Sequence, residues 1–105
     1  MAAELIATRR VRAKRSEGEP FDIEVGIGRP VACGDQEWKC PVSLSGLHDR
    51  LADQHGIDSW QALMLAQRLA RQLLGYFLED GGQLWDPDSE GTPIDLSGMF
   101  SGGTL

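Results

Sequence analysis

An α+β fold is predicted for this chain: an antiparallel sheet of three to four strands in a meander, one long helix packed on one face, and a short C-terminal strand or hairpin. Three observations predict it. Residues 4–14 and 21–28 each alternate apolar and polar side chains, and the turn-forming SEGEP lies between them. Residues 38–45, WKCPVSLS, alternate again. Residues 59–80 then change to a helical period over a stretch too long to be a strand.

In the first run Leu5, Ala7, Val11 and Ala13 share one face, while Ile6, Thr8, Arg10, Arg12 and Lys14 share the other. In the second, Phe21, Ile23, Val25 and Ile27 line one face. Paired as an antiparallel hairpin, Val11 is expected opposite Val25 and Ala13 opposite Ile23, with Arg12 facing Glu24 and Lys14 facing Asp22. That register places apolar pairs on one face and opposite charges on the other. In the third run Trp38, Cys40, Val42 and Leu44 share a face, and Lys39, Pro41, Ser43 and Ser45 take the other. Pro41 has no N–H to give a ladder, so an edge strand or a bulge is expected there. Residues 46–56, GLHDRLADQHG, suit either a fourth strand or a short helical turn.

The helix is expected from Ser59 to Asp80. Asp58 with Gln61 makes a capping box, and Ile57 is placed for a hydrophobic staple. Leu63, Ala66, Ala70, Leu73 and Phe77 form the apolar stripe, widened by Ala62, Leu65, Leu69 and Tyr76. Gln61, Arg68, Arg71 and Glu79 fall on the solvent side. Gly81-Gly82 suits a C-cap. A helix of about 22 residues is about 33 Å long, longer than the strands beneath it, so part of its apolar surface calls for a second cover. QLW (83–85) reads as a last short strand, DPDSEGTP as a turn, and IDL (94–96) as a return partner.

At 105 residues the chain suits one domain, expected over 1–96, with the Gly- and Ser-rich 97–105 as a mobile tail. The formal net charge of −6 argues against nonspecific binding to nucleic acid or to an anionic membrane. No apolar run approaches the roughly 20 residues needed to span a bilayer. The N-terminus has no apolar segment of secretory type, and two cysteines make no disulfide scaffold. A reduced, cytoplasmic protein is expected.

Both cysteines and both histidines lie between Cys33 and His55. Cys33, Cys40, His48 and His55 are spaced C-x6-C-x7-H-x6-H, much wider than the short knuckles that converge on tetrahedral zinc. Cys40 also sits in the apolar face of the third run, where a thiol behaves as a small hydrophobe. Strand and loop are therefore expected in preference to a metal site, and no cofactor is expected. Asp86, Asp88, Glu90 and Gly91 match the front of a calcium loop, but position twelve is Ser97 where a bidentate Glu is needed; an acidic turn is expected. RRVRAKR (9–15) holds five of the ten basic residues, and is expected to be the solvated face of the first strand, paired with Asp22 and Glu24, not a phosphate-binding stripe. His48-Asp49 and Asp53-x-His55 supply acid–base residue types without mutual orientation. There is no G-x-S-x-G elbow and no Gly-rich phosphate loop opening a helix. The expectation is a protein that is not an enzyme. Of the three tryptophans, Trp38 is expected in the core. Trp60 and Trp85, with Tyr76, Arg68 and Arg71, are the candidate partner-binding residues.

EWKCPVSLSGL, followed by GIDSWQALMLAQRLARQLLGYFLEDGGQLW, resembles a family of small bacterial proteins known as a domain of unknown function. Trp38, Cys40 and Pro41 match its W-x-C-P strand, and Gly56, Ile57, Asp58, Ser59, Gln61, Ala62 and Leu63 match its G-[IV]-D-S-x-Q-A-L helix start. The resemblance extends in layout over residues 4–96 and implies a meander with a long helix, without catalytic residues. At Gly56, Asp58, Ser59, Ala62 and Leu63 the chain is also similar to HicB-type antitoxins, which implies a partner toxin and self-association; the 46–55 loop is longer here and no DNA-binding tail is recognisable.

Three functional classes follow. The first is a noncatalytic interaction or assembly module, homo-oligomeric through its long apolar helix. The second is an antitoxin-like or immunity-like protein whose acidic charge suits a basic partner. The third is a metal-binding protein acting through Cys33, Cys40, His48 and His55.

Overall fold

The first two alternating runs form β1 (Leu5–Lys14) and β2 (Phe21–Gly28), an antiparallel hairpin, in a computed structural model that describes residues 4–89 and 91–101. The faces are those expected over most of the hairpin, but the register is not. Val11 pairs with Ile23, Arg12 with Asp22 and Ala13 with Phe21, so that the expected pairs Val11–Val25, Ala13–Ile23, Arg12–Glu24 and Lys14–Asp22 do not form. A slip of two residues leaves each side chain on its own face, so alternation alone cannot detect it. The observed register sets Phe21 beside small Ala13, where its ring meets Phe77 edge-on at 6.0 Å. The Arg15 guanidinium lies 5.5 Å from the centroids of both rings.

A register break between Leu5 and Ala7 removes Leu5 from the apolar set of Val11 and Ala13. Leu5 instead covers Gly26, on which a β-carbon would lie 3.0 Å from Leu5 Cδ1.

The expected single strand over 38–45 divides at Pro41 into β4 (Glu37–Cys40) and β5 (Val42–Ser45). Lacking an N–H, Pro41 contributes only its carbonyl, which accepts from the Gly28 amide at 2.8 Å. On its two sides the chain joins different sheets. β5 is an edge of a four-stranded sheet of order β5-β2-β1-β7, where β7 is Gln83–Trp85. β4 is the centre of a three-stranded sheet of order β3-β4-β6, with β3 (Val31–Gly34) and β6 (Gln54–Gly56). Of the ambiguous 46–56 segment, the last three residues are thus a strand, and His48 makes an isolated bridge to Leu44.

The long helix α1 spans Ser59–Glu79. The Asp58 side chain accepts from the Gln61 amide at 2.7 Å, while Gln61 Oε1 accepts from the Ile57 amide at 2.8 Å. This is a reciprocal cap that reaches one residue further back than the usual box. The staple expected of Ile57 is not made, since its side chain is 65% exposed. Its partner position is Ala62, which is short and is covered by the close-packed Gly56. At the other end Gly81, at φ 95°, donates to the Leu78 carbonyl and Gly82 to that of Phe77, a Schellman ending that glycine permits at low cost.

Ala62, Ala66, Ala70, Leu74 and Phe77 are the buried residues of α1; Leu63 and Leu73 of the expected stripe are half-buried, and Leu74, outside that stripe, is buried. The alanines let the helix approach Val11, Ala13, Ile23, Val25, Ile27, Val42, Leu44 and Leu84, which together with Cys40 complete the core. Trp38 is half-buried against this core. Beyond β7, Pro93 bridges to Trp85 and the Ile94 amide donates to the Leu84 carbonyl. Residues Leu96–Ser101 form a second helix, α2, where composition suggested a mobile tail. Met99 and Phe100 pack on the core, and Ser97 accepts from Arg71 at 3.2 Å. This segment supplies a second cover for α1. Residues 102–105 lie outside the described residues.

Candidate functional site

Two surfaces bring the candidate residues together. The first is the outer face of α1. Trp60 is 74% exposed, Met64 51% and Ile57 65%, so the helix begins with a run of large apolar side chains in water. With about 100° between successive residues, Trp60, Met64, Arg68 and Arg71 fall within roughly 80° of one another. The stripe is apolar toward the helix start and cationic further on, and α1 carries no acidic residue before Glu79. The Arg71 guanidinium is held by Ser97 of α2. Tyr76 is also exposed but lies on the other flank. Trp85 is half-buried on β7, paired with Arg12 of β1, and is not part of this stripe.

The second surface is the solvent face of the three-stranded sheet. The four metal-ligand candidates separate here. Cys40 is buried in the core, its thiol donating to the Gly28 carbonyl at 3.3 Å. His48 stands at the end of β5, beside the other sheet. Cys33 and His55 do converge, and the residue between them is Glu37. The Cys33 thiol donates to Glu37 Oε2 at 3.5 Å, and His55 Nδ1 lies 3.3 Å from the same oxygen. One donor atom from each residue lies within 4.8 Å of the others, and all three residues are exposed.

Strand pairing produces this convergence. Cys33 occupies the register break of β3, between Ala32 (opposite Trp38) and Gly34 (opposite Glu37). His55 is directly opposite Lys39, two residues along β4 from Glu37 and therefore on the same face. The Cys33 thiol is pushed above its ordinary range by desolvation, then by its hydrogen bond to the Glu37 carboxylate and that group's charge, against the opposing pull of Lys39. The thiol is therefore protonated at neutral pH.

The remaining candidates have local structural partners. Asp86 Oδ1 accepts from the Asp88 amide at 2.8 Å, and Oδ2 lies 3.3 Å from Arg9; Glu90 of the calcium-loop match lies outside the described residues. In the basic run, Arg9 is taken by Asp86, Arg12 by Asp22 at 2.9 Å, and Arg15 by the two phenylalanine rings. No helix among the described residues is long and apolar enough to cross a membrane.

No curated protein and no solved structure matches the chain. A family model does match it over residues 7–94, which include both surfaces but not α2. The chain belongs to that family, a domain of unknown function (DUF6968).

Proposed function

We propose that this domain is a noncatalytic assembly module of the bacterial cytoplasm, in which the outer face of α1 pairs with the same face of a second copy. The observation that carries this is the exposure of Trp60 and Met64 on one helical stripe with Arg68 and Arg71. Tryptophan and arginine are the residues that most often anchor interfaces. The stripe is self-complementary when two copies run antiparallel about a two-fold axis. Trp60 of one copy then meets Arg71 of the other, an indole beneath a guanidinium, and Met64 meets Arg68. Neither arginine faces its own equivalent. A basic toxin would meet both arginines as like charges, so the stripe suits self-pairing better than the antitoxin-like alternative. Two free thiols, Cys33 and Cys40, suit a reducing compartment.

Native mass spectrometry and sedimentation at tens of micromolar test the reading. The expected species is twice the 11.5 kDa chain mass, and Trp60→Ser or Met64→Glu returns it to a monomer with unchanged circular dichroism. A monomeric parent protein overturns the proposal. So does a dimer indifferent to both substitutions.

A further inference from the structure

The three-stranded sheet carries a feature that an assembly module does not need. We propose that Cys33, Glu37 and His55 form a binding site for one zinc-class divalent cation per chain, with the fourth coordination position open to solvent. The proposal does not depend on how the outer face of α1 is used.

The donor set is the first support. A thiolate, an imidazole and a carboxylate are the three side-chain types that zinc takes, and a sulfur donor disfavours magnesium and calcium. The spacing is the second. Zinc bonds of about 2.3 Å to sulfur and about 2.0–2.1 Å to nitrogen and oxygen, at the tetrahedral angle, set donor atoms roughly 3.3–3.6 Å apart. Cys33 Sγ and His55 Nδ1 lie 3.5 Å and 3.3 Å from Glu37 Oε2. The donors come from three adjacent strands, so backbone pairing holds them close together before any ion arrives. All three are exposed, which leaves a path for the ion and room for a water as fourth ligand.

Loading exchanges protons for the ion. The Cys33 thiol loses its proton to solvent as the sulfur–metal bond forms. His55 would bind through Nδ1 as an imidazole with its proton on Nε2. One proton is released per ion, and nothing is oxidised or reduced. With thiolate and carboxylate both bound, the two charges of the cation are neutralised. Lys39, opposite His55 on the same sheet, repels the cation but favours the thiolate, so it acts in both directions.

The test uses the full chain without a polyhistidine tag, reduced and under anaerobic conditions, titrated with cobalt(II) and then zinc(II). The expected result is one cobalt per chain, a thiolate-to-cobalt charge-transfer band, and d–d bands of tetrahedral intensity that zinc abolishes. The zinc affinity rises with pH, as release of a proton on binding requires. Cys33→Ser removes the charge-transfer band. Glu37→Gln and His55→Ala each weaken zinc by more than the roughly 10–100-fold typical of losing an outer partner of a metal ligand. His48→Ala changes nothing. All of these positions are exposed, so the variants keep the fold, which circular dichroism checks. An octahedral cobalt spectrum without the sulfur band overturns the proposal, as does zinc binding indifferent to Cys33→Ser or to Glu37→Gln.

Discussion

Gly56 and Ala62 are packed so closely that a β-carbon on Gly56 would stand 2.6 Å from the Ala62 amide nitrogen. The last residue of β6 thereby sets the start of α1 against the sheet. Backbone cannot yield as the far end of a side chain can, so Gly56→Ala should push the helix start outward. The expected loss is about 1–3 kcal/mol, the usual range for overpacking, read as a lower urea midpoint at unchanged slope.

Gly75 provides the opposite case. It lies within α1, and nothing stands within 4 Å of where its β-carbon would be. Alanine there removes backbone freedom from the unfolded chain without a clash. Gly75→Ala should therefore stabilise the protein by about 0.5–1 kcal/mol. Equal effects at Gly56 and Gly75 would contradict both packing statements.

What could be read from the chain was what depends on neighbours in sequence. The helix boundaries followed from Asp58, Gln61, Gly81 and Gly82, all within a few residues of the ends they cap. The faces of β1 and β2 followed from a period of two. The register did not, because the ring packing of Phe21 on Phe77 that selects it joins residues 56 apart (77 − 21). Pro41 was legible as an interruption, but not as the point where one extended run passes between two sheets. The Cys33–Glu37–His55 cluster was half legible. Cys33 and His55 were candidates by residue type. Glu37 was missed because an acid three positions past a cysteine's neighbour signals nothing until the β3 register break and the β4–β6 pairing place all three on one face. Cys40 and His48 were included only because they share the same short stretch.

The β1–β2 register has its own test in the exposed pair Arg12–Asp22, 2.9 Å apart. An exposed ion pair contributes about 0.2–1 kcal/mol. A double-mutant cycle with Arg12→Ala and Asp22→Ala should give a coupling in that range, reduced by added salt. The cycle combining Arg12→Ala with Glu24→Ala should give less, since Glu24 stands opposite Arg10. A larger coupling to Glu24 would restore the alternative register.

Cys40 supplies a prediction in pH. Burial, and then the Asp53 carboxylate, push its thiol up from the ordinary range. In the unfolded chain the thiol titrates near about 8.5. Between that value and the higher folded one, the folded state keeps a proton that the unfolded state has released, so stability falls as pH rises. The stabilising contribution is complete below the unfolded value and is lost as pH climbs through the folded one. Cys33 is shifted in the same direction by desolvation and by Glu37, and adds to the same alkaline slope. Denaturant titrations from neutral to alkaline pH should show a decline that is shallower in Cys40→Ala than in the parent chain, even though the variant, with its smaller core side chain, is less stable at neutral pH. Parallel declines would mean that the Cys40 thiol titrates alike in the folded and unfolded chains, against its burial and its hydrogen bond to the Gly28 carbonyl.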